Sequence, residues 1–380
     1  MTFKTNGLQI FETNMMRTIR NRNVPFLLAA LLSFAAQAET TDTWKQECVG
    51  RSKVSLPPDV EMAAISYDNF AKEISGGSRL SVSQFEDGQR AGWSSIWYLN
   101  RLFVISNELE RIQIDDLRSL FLKQPERERD YLKMLDTPGS RAKIVPEVKS
   151  NSPQVMSWNY DSYISYLHQI QNHLLLTAIK SDGESPAESN EIFSVLAKNT
   201  NYRGLFSVPS GSGVCLPFAF IRDNGSEPRE ISMSYRVKSH PDVMIVLTDA
   251  TAEELNDSVK KSGKTPEYEI NDFWSQYEVS RTGKSVSTRW PLSSKHTIEV
   301  DGRKGVASFV NITRKDDSKD FGYLAIVPGD TRAKTDVPAL RLFVVREGSY
   351  ARKKGIEPIG EKAFLELVER IASSVQVRRN

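Results

Sequence analysis

The stretch "VPSGSGVCLPFAFI", residues 208–221, sets a cysteine behind a Gly/Ser-rich turn and ahead of an apolar run. A thiol so placed can do two kinds of chemistry. As a thiolate, Cys215 is a nucleophile, provided a base lies within hydrogen-bond reach. As half of a disulfide it cross-links the chain and does no further chemistry. Four histidines are present, and folding can bring any of them near, so spacing leaves catalysis open. The chain holds two cysteines, Cys48 and Cys215, which allows one intramolecular pairing. The choice turns on the compartment, because disulfides persist where the surroundings oxidise.

Other catalytic patterns are missing. A serine hydrolase of the nucleophile-elbow type needs G-x-S-x-G after a strand. "GGSRL" and "GRSKV" begin that pattern and fail at its last glycine. There is no P-loop, and "GSGVC" lacks the further glycine and the helix entry of a dinucleotide site. His168 and His173 are five apart, the wrong spacing for one helix face. On a single strand they would face opposite sides. They read as strand histidines with ordinary hydrogen bonds. Asp115-Asp116 and Asp316-Asp317 read as solvated surface charges. No catalytic, metal or cofactor residue is assigned.

The N-terminus decides the compartment. Arg17, Arg20 and Arg22 precede the apolar run "VPFLLAALLSFAA", and Ala36-Gln37-Ala38 supplies a small-residue cleavage site. This order of charge, apolar core and small residues is that of a cleaved export signal. The run is too short for a stable transmembrane anchor. The signal covers residues 16–38, and residues 1–15 read as an over-extended start. In an exported chain the even cysteine count favours a Cys48–Cys215 bridge over a catalytic thiol or two buried thiols. Residues 1–38 hold four of the 50 basic and one of the 48 acidic side chains, leaving 46 against 47. That balance gives no reason to expect a nucleic-acid partner, and with no second segment long and apolar enough to span a bilayer, no membrane insertion is expected after cleavage.

The elements that must carry these residues follow from periodicity. Arg51 to Leu56 reads as a strand stopped by Pro57-Pro58. From about Ser94 to Leu135 the pattern reads as helical, with Leu117, Leu120 and Phe121 on one face. Residues 163–180 read as strands on their β-branched and aromatic content. Ser185 and Pro186 open a helix whose face carries Ile192, Phe193 and Leu196. Residues 214–350 are dominated by strands, interrupted by a helix-like interval at "TAEELNDSVKKSG". A last helix, "GEKAFLELVERIASSVQ", presents Phe364, Leu365, Leu367, Val368 and Ile371. The fold class is α+β: two α+β domains in series, 39–207 and 208–380, divided at the Gly/Ser-rich stretch 204–213. The second domain is strand-rich with a C-terminal helix.

"NITRKDDSKDFGY" lies between two apolar strands and reads as a hairpin tip carrying both signs of charge. Its residues Arg314, Lys315, Asp316, Asp317, Lys319 and Asp320 are the candidate partner-binding set, since such a loop fixes orientation against a charged surface. Trp93 and Trp97 read as core, or as interface anchors if exposed.

"TWKQECVGRSKVSLPPDVEM", "FSVPSGSGVCLPFAFI" and "DVPALRLFVV", in this order and spacing behind an export signal, resemble the periplasmic immunity proteins of type VI secretion phospholipase effectors. The resemblance implies a two-domain clamp, monomeric before binding, that grips a cognate lipase in the periplasm and blocks access of its substrate. It implies no catalytic machinery and no cofactor. "DGRKGVASFVNITR" departs from the family pattern in the second domain. Two other readings stand beside it: an envelope enzyme of unrecognised type, and a periplasmic ligand-binding or scaffold protein.

Overall fold

The computed structural model describes residues 44–76, 82–92, 94–137, 139, 143–160, 163–180, 186–252, 265–282, 288–289, 295–314, 318–333 and 335–379. All of them belong to the compact unit Thr43–Asn380. The export signal, Ser185, Trp93, Lys315, Asp316, Asp317 and all but the first two residues of "TAEELNDSVKKSG" lie outside the described residues.

The first half runs β1 (Lys45–Val49), β2 (Ser52–Leu56), β3 (Val60–Met62), α1 (Tyr67–Ile74), β4 (Ser95–Tyr98), β5 (Arg101–Ile105), α2 (Arg111–Leu122), α3 (Gln124–Leu135), β6 (Lys149–Ser152), β7 (Val155–Tyr160), β8 (Tyr163–Ile170), β9 (His173–Lys180) and α4 (Pro186–Asn199). The second runs β10 (Thr200–Tyr202), β11 (Gly213–Leu216), β12 (Ala219–Arg222), β13 (Arg229–Val237), β14 (Val243–Ala250), α5 (Pro266–Thr282), β15 (Thr288–Arg289), β16 (Lys295–Val300), β17 (Arg303–Thr313), β18 (Lys319–Val327), β19 (Ala339–Arg346), α6 (Gly348–Lys354), α7 (Glu361–Ser374) and β20 (Gln376–Val377).

Fourteen strands form one antiparallel sheet, ordered β15-β17-β18-β19-β14-β13-β4-β5-β9-β8-β7-β6, with β16 on β17 and β3 on β13. Its second-half strands meet its first-half strands where β13 pairs β4, with Glu230 opposite Trp97 and Ser232 opposite Ser95. Antiparallel strands with helices laid on their faces make this the expected α+β class.

Helices cover the faces by their apolar sides. Ile270, Trp274 and Tyr277 of α5 pack on Val246, Leu324 and Phe343. On the opposite face Phe364, Val368 and Ile371 of α7 share a core with Tyr323 and Val344, and that core runs on through Tyr98, Tyr166 and Phe193. Each such side chain contributes roughly 1.5–3 kcal/mol by leaving water. Gly322 makes the α5 contact possible: a Cβ there would sit 2.4 Å from the Trp274 ring. Trp274 is held in place by donating Nε1–H to Ser308 Oγ at 2.9 Å.

Three local readings change. Residues 95–105 form a β-hairpin, not the start of a helix. Burial alternates along both strands, the period-2 signature of a half-buried strand. The turn residues Leu99 and Asn100 both take positive φ, 53° and 56°, as a two-residue primed turn requires. Helix α5 lies where strands are expected, because Ile270, Trp274 and Tyr277 mark only a thin apolar stripe in a charged segment. His168 and His173 share a face, because the β8–β9 hairpin turns the chain and sets Ile170 opposite His173.

Candidate protein interface

Among the described residues no group of three His, Cys, Asp or Glu side chains could hold a metal ion. Cys215 is bonded to Cys48, with Cα atoms 5.8 Å apart. Both are fully buried. The expected bridge therefore forms, and it ties β1 to β11.

Around the bridge lies a node of buried charge. Gly50, at φ +57°, exchanges backbone hydrogen bonds with Cys215 at 3.0 and 2.8 Å. A side chain at Gly50 would strike Asp249 at 2.8 Å, so only glycine fits this close approach. Asp249 accepts from Ser52 Oγ at 2.5 Å, from the Arg51 N–H at 3.2 Å and from Arg229. Ser52 is the serine of "GRSKV", and its hydroxyl is used up in this contact. Arg203 pairs with Glu47 at 2.6 Å and donates to the Cys48 carbonyl at 3.0 Å. Arg51 pairs with Asp223 at 2.6 Å, and Tyr98 donates to the same carboxylate at 2.8 Å. Arg378 donates to Cys48 Sγ at 2.9 Å and Cys215 Sγ at 3.0 Å. Burial holds the Arg378 pKa below its ordinary value.

A second ionic stitch lies farther along β13. Arg236 pairs with Glu61 at 2.5 Å and with Asp87 at 2.8 Å. Like Arg51–Asp223, it ties residues of the first half to residues of the second. Desolvation offsets much of the Coulomb gain of such pairs, so they add little net stability. Breaking one leaves an uncompensated charge and is expensive. Their effect is to fix one arrangement of the strands they join.

The histidines behave as structural groups. His173 Nδ1 lies 3.0 Å from the Ser106 carbonyl, and its ring stacks on Phe218 at 4.2 Å. Burial pushes His168 down to about 4. Asp115 and Asp116 are exposed on α2.

The charged hairpin tip joins β17 to β18, with Thr313 opposite Lys319. Arg314 and Asp320 sit at its base and pair at 2.5 Å. Asp320 is fully buried and also accepts the Gly348 N–H at 2.9 Å, while Lys319 is exposed. The tip thus has a fixed root.

Trp97 is 43% exposed and so is not a core residue. It stands at the rim of a groove where β4 meets β13. The register aligns Ser95 with Ser232, Ser232 with Thr248 and Thr248 with Arg341, one transverse row over four strands. Ser232 and Thr248 hydroxyls are 2.7 Å apart. A cavity of about 350 Å3 lies over this row, walled by Phe273 and Phe343. A second, of about 260 Å3, adjoins Trp97 and Asn100. Sequence patterning missed this groove because its members lie on four strands far apart in the chain. The exposed tryptophan was its one visible sign.

Residues 207–380 match the family model of the Tle cognate immunity protein 4 C-terminal domain. No curated protein matches the chain. Among solved structures, the fold is similar to that of immunity protein TplEi of the T6SS from Pseudomonas aeruginosa complexed with "L" peptide, at 16% identity and TM-score 0.54, covering 89% of this chain and 99% of that one. A chain of the Tle4–Tli4 complex gives 16% identity and TM-score 0.55, covering 88% and 97%. Apo TplEi gives 16% and 0.52, covering 88% and 97%.

Proposed function

We propose that this chain, whose residues 207–380 match the family model of the Tle cognate immunity protein 4 C-terminal domain, is an immunity protein. It binds and inhibits a cognate type VI secretion phospholipase effector of the Tle4/TplE kind in the periplasm, and it is not an enzyme. The family match is the observation that carries this reading. The likeness to TplEi and to a chain of the Tle4–Tli4 complex supports it at the level of fold.

The mode of action is a two-domain clamp, 39–207 and 208–380, that keeps substrate from the effector's active site. The disulfide, the Arg51–Asp223 pair and the Arg236 pairs with Glu61 and Asp87 join residues on the two sides of position 207. A clamp whose jaws are already fixed loses less ordering entropy on binding. The charged tip, residues Arg314, Lys315, Asp316, Asp317, Lys319 and Asp320, orients the partner, with Asp320 holding Arg314 at its root. The disulfide fits the oxidising periplasm.

The test is co-expression with the cognate phospholipase. A complex that survives gel filtration, with phospholipid hydrolysis abolished at equimolar inhibitor, is expected. Failure to form a complex, with the effector still active, would refute the reading. Hydrolysis of phospholipid by the purified chain alone would favour the enzyme alternative.

A further inference from the structure

We infer that the transverse groove beside Trp97 is the seat of an extended, uncharged segment of the effector, which lays a backbone carbonyl over the Ser232–Thr248 pair and an apolar side chain against Trp97. This rests on the inhibitor reading above.

The groove crosses a sheet face that is apolar on β14 and β19 under α5 and polar along β13, where Glu230, Ser232, Ser234 and Arg236 alternate onto it. Under α5 the same face carries Met244, Val246, Phe343 and Val345. At the row, hydroxyls replace them, yet Ser232 and Thr248 are only 4% and 7% exposed. Burying hydroxyls is unfavourable unless their hydrogen bonds are made. The pair holds two protons and makes one mutual bond. One O–H is therefore left to donate to a further acceptor. At the end of the row Arg341 is ion-paired with Glu269, while its Nε is buried without a hydrogen-bond partner among the described residues. The spare O–H of the pair asks for an acceptor-bearing guest.

The charge pattern selects the kind of acceptor. Arg341 already has its carboxylate in Glu269. A phosphate or carboxylate would find no unneutralised cation on the row. A neutral carbonyl needs none, and a peptide in extended form supplies carbonyls in a row. Trp97 then does what exposed tryptophans do at interfaces, offering a large rigid apolar surface at low entropy cost. The cavity, about 350 Å3, is side-chain sized.

The experiment uses the full chain and its cognate phospholipase. Trp97→Ala weakens the complex about 10- to 100-fold, as removal of an aromatic anchor does. Ser95→Arg, which fills the groove from its partly exposed end, weakens it comparably. Thr248→Val, which keeps shape and removes one hydroxyl, weakens it about threefold, in the range of a single neutral hydrogen bond. A photoreactive p-benzoylphenylalanine at position 97 cross-links to one short effector segment identified by mass spectrometry. Wild-type affinity in both Trp97→Ala and Ser95→Arg, with no cross-link, overturns the assignment while leaving the inhibitor reading intact. Binding of phosphatidylethanolamine–phosphatidylglycerol vesicles that Trp97→Ala abolishes, with effector affinity unmoved, overturns it in favour of a lipid. If wild-type chain and effector form no complex, the inhibitor reading itself falls, and this inference with it.

Discussion

The node around Cys48–Cys215 and the groove beside Trp97 use the same materials, arginine, hydroxyl and aromatic side chains, to opposite ends. At the node, Arg203, Glu47, Arg229 and Asp249 are essentially inaccessible to water, and every carboxylate meets a guanidinium. At the groove, Trp97 faces solvent and the hydroxyl row keeps a donor in hand. Burial decides which role a polar group plays. A satisfied buried network fixes geometry, and a partly satisfied one at a surface is ready to bind. The region that sets the molecule's shape is thus distinct from the one proposed to meet the effector.

Several substitutions sharpen or break that contrast. The largest effect is expected from Cys48→Ser with Cys215→Ser. For a sequence separation of 167, the chain-entropy model gives a loss of about 5 kcal/mol. Urea denaturation should show it, and dithiothreitol on the wild-type chain should reproduce it. Arg203→Ala leaves Glu47 buried and unpaired, and a loss of about 3–5 kcal/mol is expected in the same assay. Gly322→Ala forces a methyl into the Trp274 ring and should cost about 1–3 kcal/mol. It should also shift tryptophan fluorescence. At the other extreme, Trp97→Ala should leave the free energy of unfolding in urea within about 0.5 kcal/mol of wild type. A large loss of stability there would erase the distinction between the two regions.

The pH dependence belongs to the buried side of the comparison. His168 has its pKa lowered by burial to about 4. In the unfolded chain it binds a proton near its ordinary value of 6.5. Between those values the unfolded state holds more protons than the folded one, so stability declines as pH falls from about 6.5 to about 4. His168→Gln should flatten the curve of unfolding midpoint against pH over that window. An unchanged slope would remove His168 from the account.

Much of the fold could be read along the chain where the determinant was local. Pro57-Pro58 ends β2, Pro186 opens α4, and Phe364, Val368 and Ile371 mark α7. The misreadings fall where local pattern and three-dimensional neighbours disagree. Residues 95–105 carry enough apolar side chains to suit a helix stripe, but Ile96, Tyr98, Phe103 and Ile105 are buried because β13 and β9 lie beside them. Helix α5 has only a faint signal in the sequence because the sheet supplies most of its apolar contact. Counted along one strand the two histidines fall on opposite sides, and the hairpin turn between them reverses the count.

Amino-acid order alone was enough for the fold class, for the single cysteine pairing and for the absence of a familiar catalytic pattern, since each depends on residue type, number or short-range spacing. Only the tertiary structure could set Ser95, Ser232, Thr248 and Arg341 in one line and leave Trp97 at its rim. Such a site is assembled by strand register, and register is fixed by the burial of a whole sheet face rather than by any one segment.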